Sequence, residues 1–410
     1  MMRSLFSGVS GLKNHQTRMD VIGNNIANVN TIGFKRSRVI FQDMLSQTLQ
    51  SAASPSENRG GSNPIQVGLG MSLASIDVIH TTGSLQPTGK NTDLSIEGEG
   101  FFMVGDGSNI YYTRAGNFDL NSESVFFHGG TGLRAKGILA DSSGQIDPKG
   151  QIVDIDLSAQ VASPAHATSK ITFAKNLDFR VVAGEEANYT MNVSVFDSKG
   201  DTHLVNVSFF KEEENTWKVT TTVDGEEPTD VSGQGILTFD PITGRLVEST
   251  VSELNYLIEG ADALDIAFDF SNATEYAGDF TITYTGQDGY EAGYLEEVTV
   301  DSNGVLNGSF SNGQSRPLAQ LTIATFSNPA GLDKMGTNLY ALSNNSGVPD
   351  QGLPGISGRG IIKPETLEMS NVDLTQEFVE MIITQRGFQA NSRVITTSDQ
   401  ILEELVNLRR

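Results

Sequence analysis

The chain of 410 residues contains no cysteine, a single tryptophan, and only 27 Lys+Arg against 50 Asp+Glu. Without cysteine there can be no disulfide, thiolate metal site, iron–sulfur cluster or cysteine nucleophile. The shortage of positive charge leaves a formal net charge of -23. That argues against nucleic acid or an anionic membrane as the main partner, because both reward Lys and Arg. No apolar run approaches the roughly 20 residues that cross a bilayer, so no membrane insertion is expected. The opening Met1-Met2-Arg3-Ser4-Leu5-Phe6-Ser7-Gly8 breaks its apolar stretch too early for a cleaved signal peptide. Hydrophobic residues make up 38% of the chain, below the roughly 45–50% usual for globular proteins. At roughly 100–200 residues per domain this is a multidomain chain with modest cores and much polar surface.

Signatures of catalysis are also missing. The five histidines (His15, His80, His128, His166 and His203) show no ligand spacing and read as scattered surface or turn residues. There is no G-x-S-x-G elbow, phosphate loop or H-E-x-x-H. Gly355-Ile356-Ser357-Gly358-Arg359-Gly360 follows a proline-containing loop and reads as a turn, not a phosphate cradle. Asp141-Ser142-Ser143-Gly144 and Asp154-Ile155-Asp156 carry too few oxygens at the wrong spacing for a calcium loop. Trp217 sits in an alternating stretch and is expected in a core. No catalytic, cofactor or metal site is expected, and no enzyme.

What is present is uneven charge and two kinds of periodicity. Residues 1–40 are net +5, whereas 181–300 hold 24 acidic and four basic groups. A segment that acidic predicts a solvated outer domain. At the N-terminus Leu5, Leu12, Met19 and Ile26 recur every seven residues, with Val9 and Ile22 on neighbouring rows, which predicts an amphipathic helix ending near 28–30. At the C-terminus Met381, Phe388, Ile395 and Leu402 repeat that spacing, widened by Phe378 and Leu405, in a helix from about 372 to 408. Asn371 or Asp373 can cap it. The shared spacing predicts that the two helices pack on each other as a short coiled coil; the alternative is separate docking on a globular body. Asn14, Asn24, Asn25, Asn28, Thr384, Gln385 and Asn391 make their polar faces rich in uncharged groups, which suits burial against other subunits.

Between the helices the period changes to two, with short runs such as 100–104, 189–197, 203–210, 217–223, 280–284 and 318–326 separated by turns such as Asp224-Gly225 and Asn312-Gly313. The expected fold is mixed α and β: paired terminal helices carrying two mainly antiparallel β domains, the outer inserted in the inner. The expected division is 1–30 with 371–410 as the helical domain and 31–73 with 365–370 as a linker or extended connecting region. Residues 74–168 with 286–364 form an inner β domain, and 169–285 an acidic outer one.

One motif is long and specific. Asp20-Val21-Ile22-Gly23-Asn24-Asn25-Ile26-Ala27-Asn28-Val29-Asn30-Thr31-Ile32-Gly33-Phe34-Lys35 resembles the N-terminal signature of the bacterial flagellar rod and hook axial proteins. The match continues through Asp93 to Phe102 and Tyr112 to Phe118. Ser370-Asn371-Val372-Asp373-Leu374 and Gln385-Arg386-Gly387-Phe388-Gln389-Ala390-Asn391 resemble the paired C-terminal signature. Middle segments, including Val195 to Gly200 and Ser309 to Gln314, resemble the hook members of the family; the alternatives are the distal rod protein or, in another class, a secreted β-rich adhesin. The stretch from Ser122 to Gly130 departs from the family pattern, which puts its turn geometry in doubt.

The resemblance implies a structural subunit of a curved tubular universal joint that carries torque from rod to filament around a central export channel. It implies that the subunit lies outside the cell, exported by the flagellar type III apparatus without a cleaved signal peptide. The implied partners are other copies of itself and the distal rod, hook cap and hook–filament junction proteins. Some spirochaete relatives are crosslinked between Cys and Lys; this chain, without cysteine, cannot be.

Overall fold

The structure is a computed structural model. It describes all residues except 1, 53, 55–59, 142–143, 185–188, 227, 229–231, 259–261 and 408–410, and the side chain of Leu405. Expectations placed on Ser142, Ser143, Leu405 and position 408 therefore lie outside the described residues.

The seven-residue spacing at each end produces a helix. Helix α1 spans Met2–Ala27 and helix α2 spans Leu374–Asn407. Asp373 caps α2, its Oδ1 accepting the N–H groups of Thr375 at 2.8 Å and Gln376 at 3.3 Å. With no proline after the cap, the helix runs 34 residues, about 50 Å. Helix α1 stops at an amide turn: Asn28 Nδ2 donates to Asn24 O at 2.9 Å and Thr31 Oγ1 donates to Asn28 Oδ1 at 3.1 Å.

The chain divides into two units, one of Met1–Ser158, Val298–Asn307 and Pro317–Arg410, the other of Ala159–Glu297 and Gly308–Arg316. In the first unit α1 and α2 pack together. Much of the segment expected as a linker or extended connecting region is paired strand: Ser37–Asp43 pairs antiparallel with Met71–Val78, and Ser46–Gln50 with Ile65–Gly68. The turn-forming Ser, Asn, Gly and Pro residues that dominate the composition there lie mostly between the second pair of strands. The β core centres on Phe101–Gly105, paired with Ile110–Thr113, Arg134–Leu139 and Ile323–Thr325. Phe101, Met103, Tyr112, Ala324, Phe326 and Tyr340 pack together there. The strand expected over 318–326 is broken at Thr322, whose hydroxyl turns to donate to Lys136 O at 3.2 Å.

Two histidines expected at the surface or in turns pack against core rings, His128 buried and His80 half-buried. His80 lies edge-on to Phe101 and Tyr340, at centroid distances of 5.5 Å, and His128 packs against Phe118 at 5.8 Å. A neutral imidazole is small and flat enough to be buried among rings, and burial lowers both pKa values to about 4. The doubtful stretch at 122–130 makes an Asx-type turn: Asn121 Oδ1 accepts the N–H groups of Glu123 and Val125, and Ser124 takes φ 60.

In the second unit a five-stranded antiparallel sheet runs in order Tyr189–Phe196, Thr202–Glu213, Thr216–Val223, Gly235–Phe239 and Leu246–Ser249. A four-stranded sheet is ordered Leu254–Tyr256, Leu264–Tyr276, Lys170–Asp178 and Thr283–Gln287. The middle pair of that second sheet is parallel, an exception to the expected antiparallel pattern. Phe173, Phe209, Phe239 and Phe270 fill the core around Trp217. The indole N–H of Trp217 donates to Glu275 Oε1 at 3.0 Å, and Lys211 Nζ lies 3.3 Å from the same oxygen.

Candidate assembly interface

The packing of α1 on α2 follows from what occupies each row of the helices. The residues nearest the partner helix are small or polar. A Cβ added to Gly8 would lie 3.2 Å from Ile395 Cγ1, one on Gly11 2.5 Å from Asn391 Nδ2, and one on Gly387 2.8 Å from the His15 ring. Glycine in a helix interior costs about 1 kcal/mol relative to alanine, so three glycines at one contact mark a close approach. Arg18 Nη2 then meets Glu380 Oε2 at 3.1 Å, and Asn25 Nδ2 meets Glu377 Oε2 at 3.2 Å. As α1 positions rise their α2 partners fall, so the helices are antiparallel.

Thr384 and Ser398 are buried and Asn391 half-buried; with Glu377 they form a polar row at seven-residue spacing beside the apolar one. Burial pushes the Glu377 carboxyl above the usual range, opposed by Asn25 and Arg36.

Small and polar residues thus share the seam with the expected apolar rows, and some of the amides expected to face other subunits are used within the chain. Asn14 is buried and donates to Met71 O at 2.8 Å. Asn25 is also buried; its Nδ2 donates to Ser37 O at 2.8 Å and its Oδ1 accepts Ser37 N–H at 3.0 Å. These amides join α1 to the strands that follow it. Gln385 is exposed and Asn24 partly bonded within its own helix. Of the expected apolar packing residues Ile22 is buried. Leu5, Leu12, Met19, Ile26, Met381, Phe388, Ile395 and Leu402 are half-buried.

The remainder face away from the pair. Val9 is 52% exposed, and Phe378, Val379, Ile382 and Ile383 are 51, 51, 51 and 57% exposed. The four residues on α2 lie within two helical turns of one another, and an exposed apolar cluster of this kind on a long helix marks an interaction surface. Sequence periodicity found Val9 and Phe378 but not their direction; it did not single out Val379 or Ile383, nor the packing roles of Gly8, Gly11, Gly387 and Glu377. Glycines inside a helical pattern were the available clue.

The remaining motif residues tie the two chain ends together. Gly33 has φ +69, and a Cβ there would lie 2.5 Å from Ala115 N, so only glycine fits. Phe34 is buried, with Lys334 Nζ 5.3 Å from its ring centroid. Asn371 does not cap α2; its Oδ1 accepts Arg36 N–H at 2.8 Å and its Nδ2 donates to Ile79 O at 2.9 Å. Among the described residues no group of His, Asp or Glu is arranged to hold a metal ion, and no helix is long and apolar enough to cross a membrane.

Terminal helices stitched to one another, with apolar stripes left open and β units between them, define the class: an axial structural protein that assembles with copies of itself. Comparison with known families agrees along the chain. Residues 5–35 match the family described as flagella basal body rod protein, and 95–173 the flagellar hook protein FlgE/F/G D1 domain. Residues 144–290 match the flagellar basal body protein FlaE D2 domain, and 363–408 the flagellar basal body rod FlgEFG protein C-terminal family.

The flagellar hook protein FlgE of Borreliella burgdorferi is 42% identical, covering 100% of both chains, and that of Salmonella typhimurium is 34% identical over 99% of this chain and 100% of its own. The flagellar basal-body rod protein FlgG of Bacillus subtilis is 34% identical over 100% of both chains, so length does not separate rod from hook names. The crystal structure of Helicobacter pylori flagellar hook protein FlgE2 shares the fold, with TM-score 0.51 at 15% identity, covering 69% of this chain and 100% of that one. The chain belongs to the flagellar hook protein FlgE family and is a structural subunit of the bacterial flagellar hook, outside the cell.

Proposed function

We propose that the subunit polymerises into a curved tube that acts as a universal joint between rod and filament. The supporting observation is apolar area left half-exposed among the described residues, Val9 on α1 and Phe378, Val379, Ile382 and Ile383 on α2. The stripes of α1 and α2 bury against neighbouring copies. The contact is heterologous and does not close on itself, so it propagates as a helical polymer. The helical domain lines the tube around an export channel, and the β domains lie further out. The subunit reaches the tip through the flagellar type III apparatus without losing a signal peptide, and the tube's ends meet the distal rod, the hook cap and the hook–filament junction proteins.

A curved tube that spins must shorten each protofilament on the inside of the bend and lengthen it on the outside. Fixed helix contacts with sliding outer units meet that requirement. The acidity of 181–300 supports the sliding role, because hydrated like-charged faces adhere weakly. Structures of straight and curved tubes test this: contacts between neighbouring outer units shift while those of α1 and α2 stay. Unchanged outer contacts between the two forms would refute it.

A further inference from the structure

Three segments distant in sequence converge on the carboxylate of a fourth in the first unit. Glu368 ends the short strand Thr366–Glu368, which pairs with Leu85–Pro87. Its Oε1 lies 2.6 Å from Lys35 Nζ and accepts Gly83 N–H at 2.8 Å, while its Oε2 lies 3.3 Å from Arg114 Nη1. Its backbone carbonyl accepts Gly33 N–H at 2.7 Å. The side chains of Lys35, Glu368 and Arg114 are 0, 0 and 3% exposed. Lys35 also donates to Thr81 O at 2.7 Å, and Arg114 to Gly98 O at 2.7 Å.

Two buried cations thus share one anion. Burial lowers the Lys35 ammonium and the Arg114 guanidinium; Glu368 opposes this for both, and Arg114 adds to the lowering at Lys35. Lys334 and neutral His80 stand in the same surroundings, and Glu99 attracts Arg114 more weakly than Glu368 does.

Removing the anion from such a site leaves uncompensated buried charge, which is far more costly than losing an exposed pair. The order of arrival matters for that reason. Glu368 lies 333 residues after Lys35 and 254 after Arg114. The second unit differs: its buried pair, Lys211 and Glu275, is local to its own core.

We propose that Glu368 is a folding latch. The paired cations hold the first unit open until the C-terminal segment supplies the carboxylate, so this unit closes only when both ends of the chain are present. The second unit folds without waiting. For a subunit delivered through a narrow channel, the latch would keep the ends unfolded until the whole chain has arrived; that use rests on the proposed export, but the latch itself does not.

Refolding of the full chain, followed by pulsed hydrogen exchange, tests it independently of polymerisation. In the unmodified protein, amides of Tyr189–Phe196 and Thr202–Glu213 gain protection first, and those of Phe101–Gly105 gain it together with Thr366–Glu368. The near-isosteric Glu368→Gln keeps the shape and removes the charge. It lowers protection of Phe101–Gly105 roughly tenfold or more, while Trp217 fluorescence, which reports the second unit, is unchanged. Adding Lys35→Met to that variant restores most of the loss. Protection of Phe101–Gly105 before Thr366–Glu368, an unaffected Glu368→Gln protein, or no recovery in the double variant would each overturn the latch.

Discussion

Truncating Phe378 to alanine should weaken polymerisation without disturbing the subunit. Phe378 projects from α2 away from the helix pair, with 51% of its surface accessible. A fully buried aromatic side chain removes roughly 150–250 Å² from water, so covering the exposed half in a polymer buries about 100 Å². At about 25 cal/mol per Å² that contributes about 2.5 kcal/mol. Alanine retains a small part of it, leaving a loss of about 2 kcal/mol, which corresponds to a roughly 30-fold rise in critical concentration. Alanine also favours helix more than phenylalanine does, so the monomer should keep its helical circular dichroism. The assay is sedimentation of polymer from monomer across a concentration series, with Trp217 fluorescence as a check on the second unit. A critical concentration within about twofold of the unmodified protein would show that this face is not a subunit contact. Loss of monomer helix would show that Phe378 supports the intramolecular pair instead.

Two further predictions concern the first unit. Gly33→Ala forces a left-handed backbone on alanine and drives its Cβ against Ala115 N. It should cost about 2–3 kcal/mol, seen as a lower unfolding midpoint for the first unit with no change in the Trp217 transition. His80 and His128 have folded-state pKa values lowered to about 4 from 6.5, by burial in both cases and by nearby Lys35, Arg114 and Lys334 for His80. The unfolded chain therefore binds protons at these sites below about pH 6.5 while the folded one does not, so their contribution is present above 6.5 and lost as pH falls toward 4. The limit is about 3 kcal/mol per histidine. Unfolding of the first unit followed between pH 7 and 4.5 should show this slope, and His80→Phe should flatten it. An identical slope in that variant would contradict the assignment.

The helices were legible in the sequence because a seven-residue apolar repeat specifies a helix whatever covers it. What covers it was not legible: Phe388 lies on the seven-residue row and Phe378 on its flank, and the spacing alone does not say that Phe378 is half-exposed while Phe388 is half-buried. The close approach depends on Gly8, Gly11 and Gly387 lying opposite side chains almost the whole chain away. Asn25 and Asn371 appeared as motif residues, but their partners, Ser37 and Ile79, are backbone groups that carry no sequence mark. Strand Leu264–Tyr276 went unassigned although Leu264, Ile266, Phe268 and Phe270 alternate with Asp265 and Asp269; Ser271 and Asn272 break that alternation midway, and the strand's parallel partner lies far away in sequence. His80 and His128 show that a lone polar residue gives no sign of burial when rings surround it.

The central claim is that the unpaired apolar stripes of α1 and α2 are the subunit contacts of a tube. Electron cryo-microscopy of the polymerised protein tests it most directly. The account predicts a hollow helical tube with α1 and α2 of every subunit nearest the axis and Val9, Phe378 and Ile382 covered by neighbouring copies. A polymer in which those three side chains remain in solvent, or protein that stays monomeric at any attainable concentration, would contradict it.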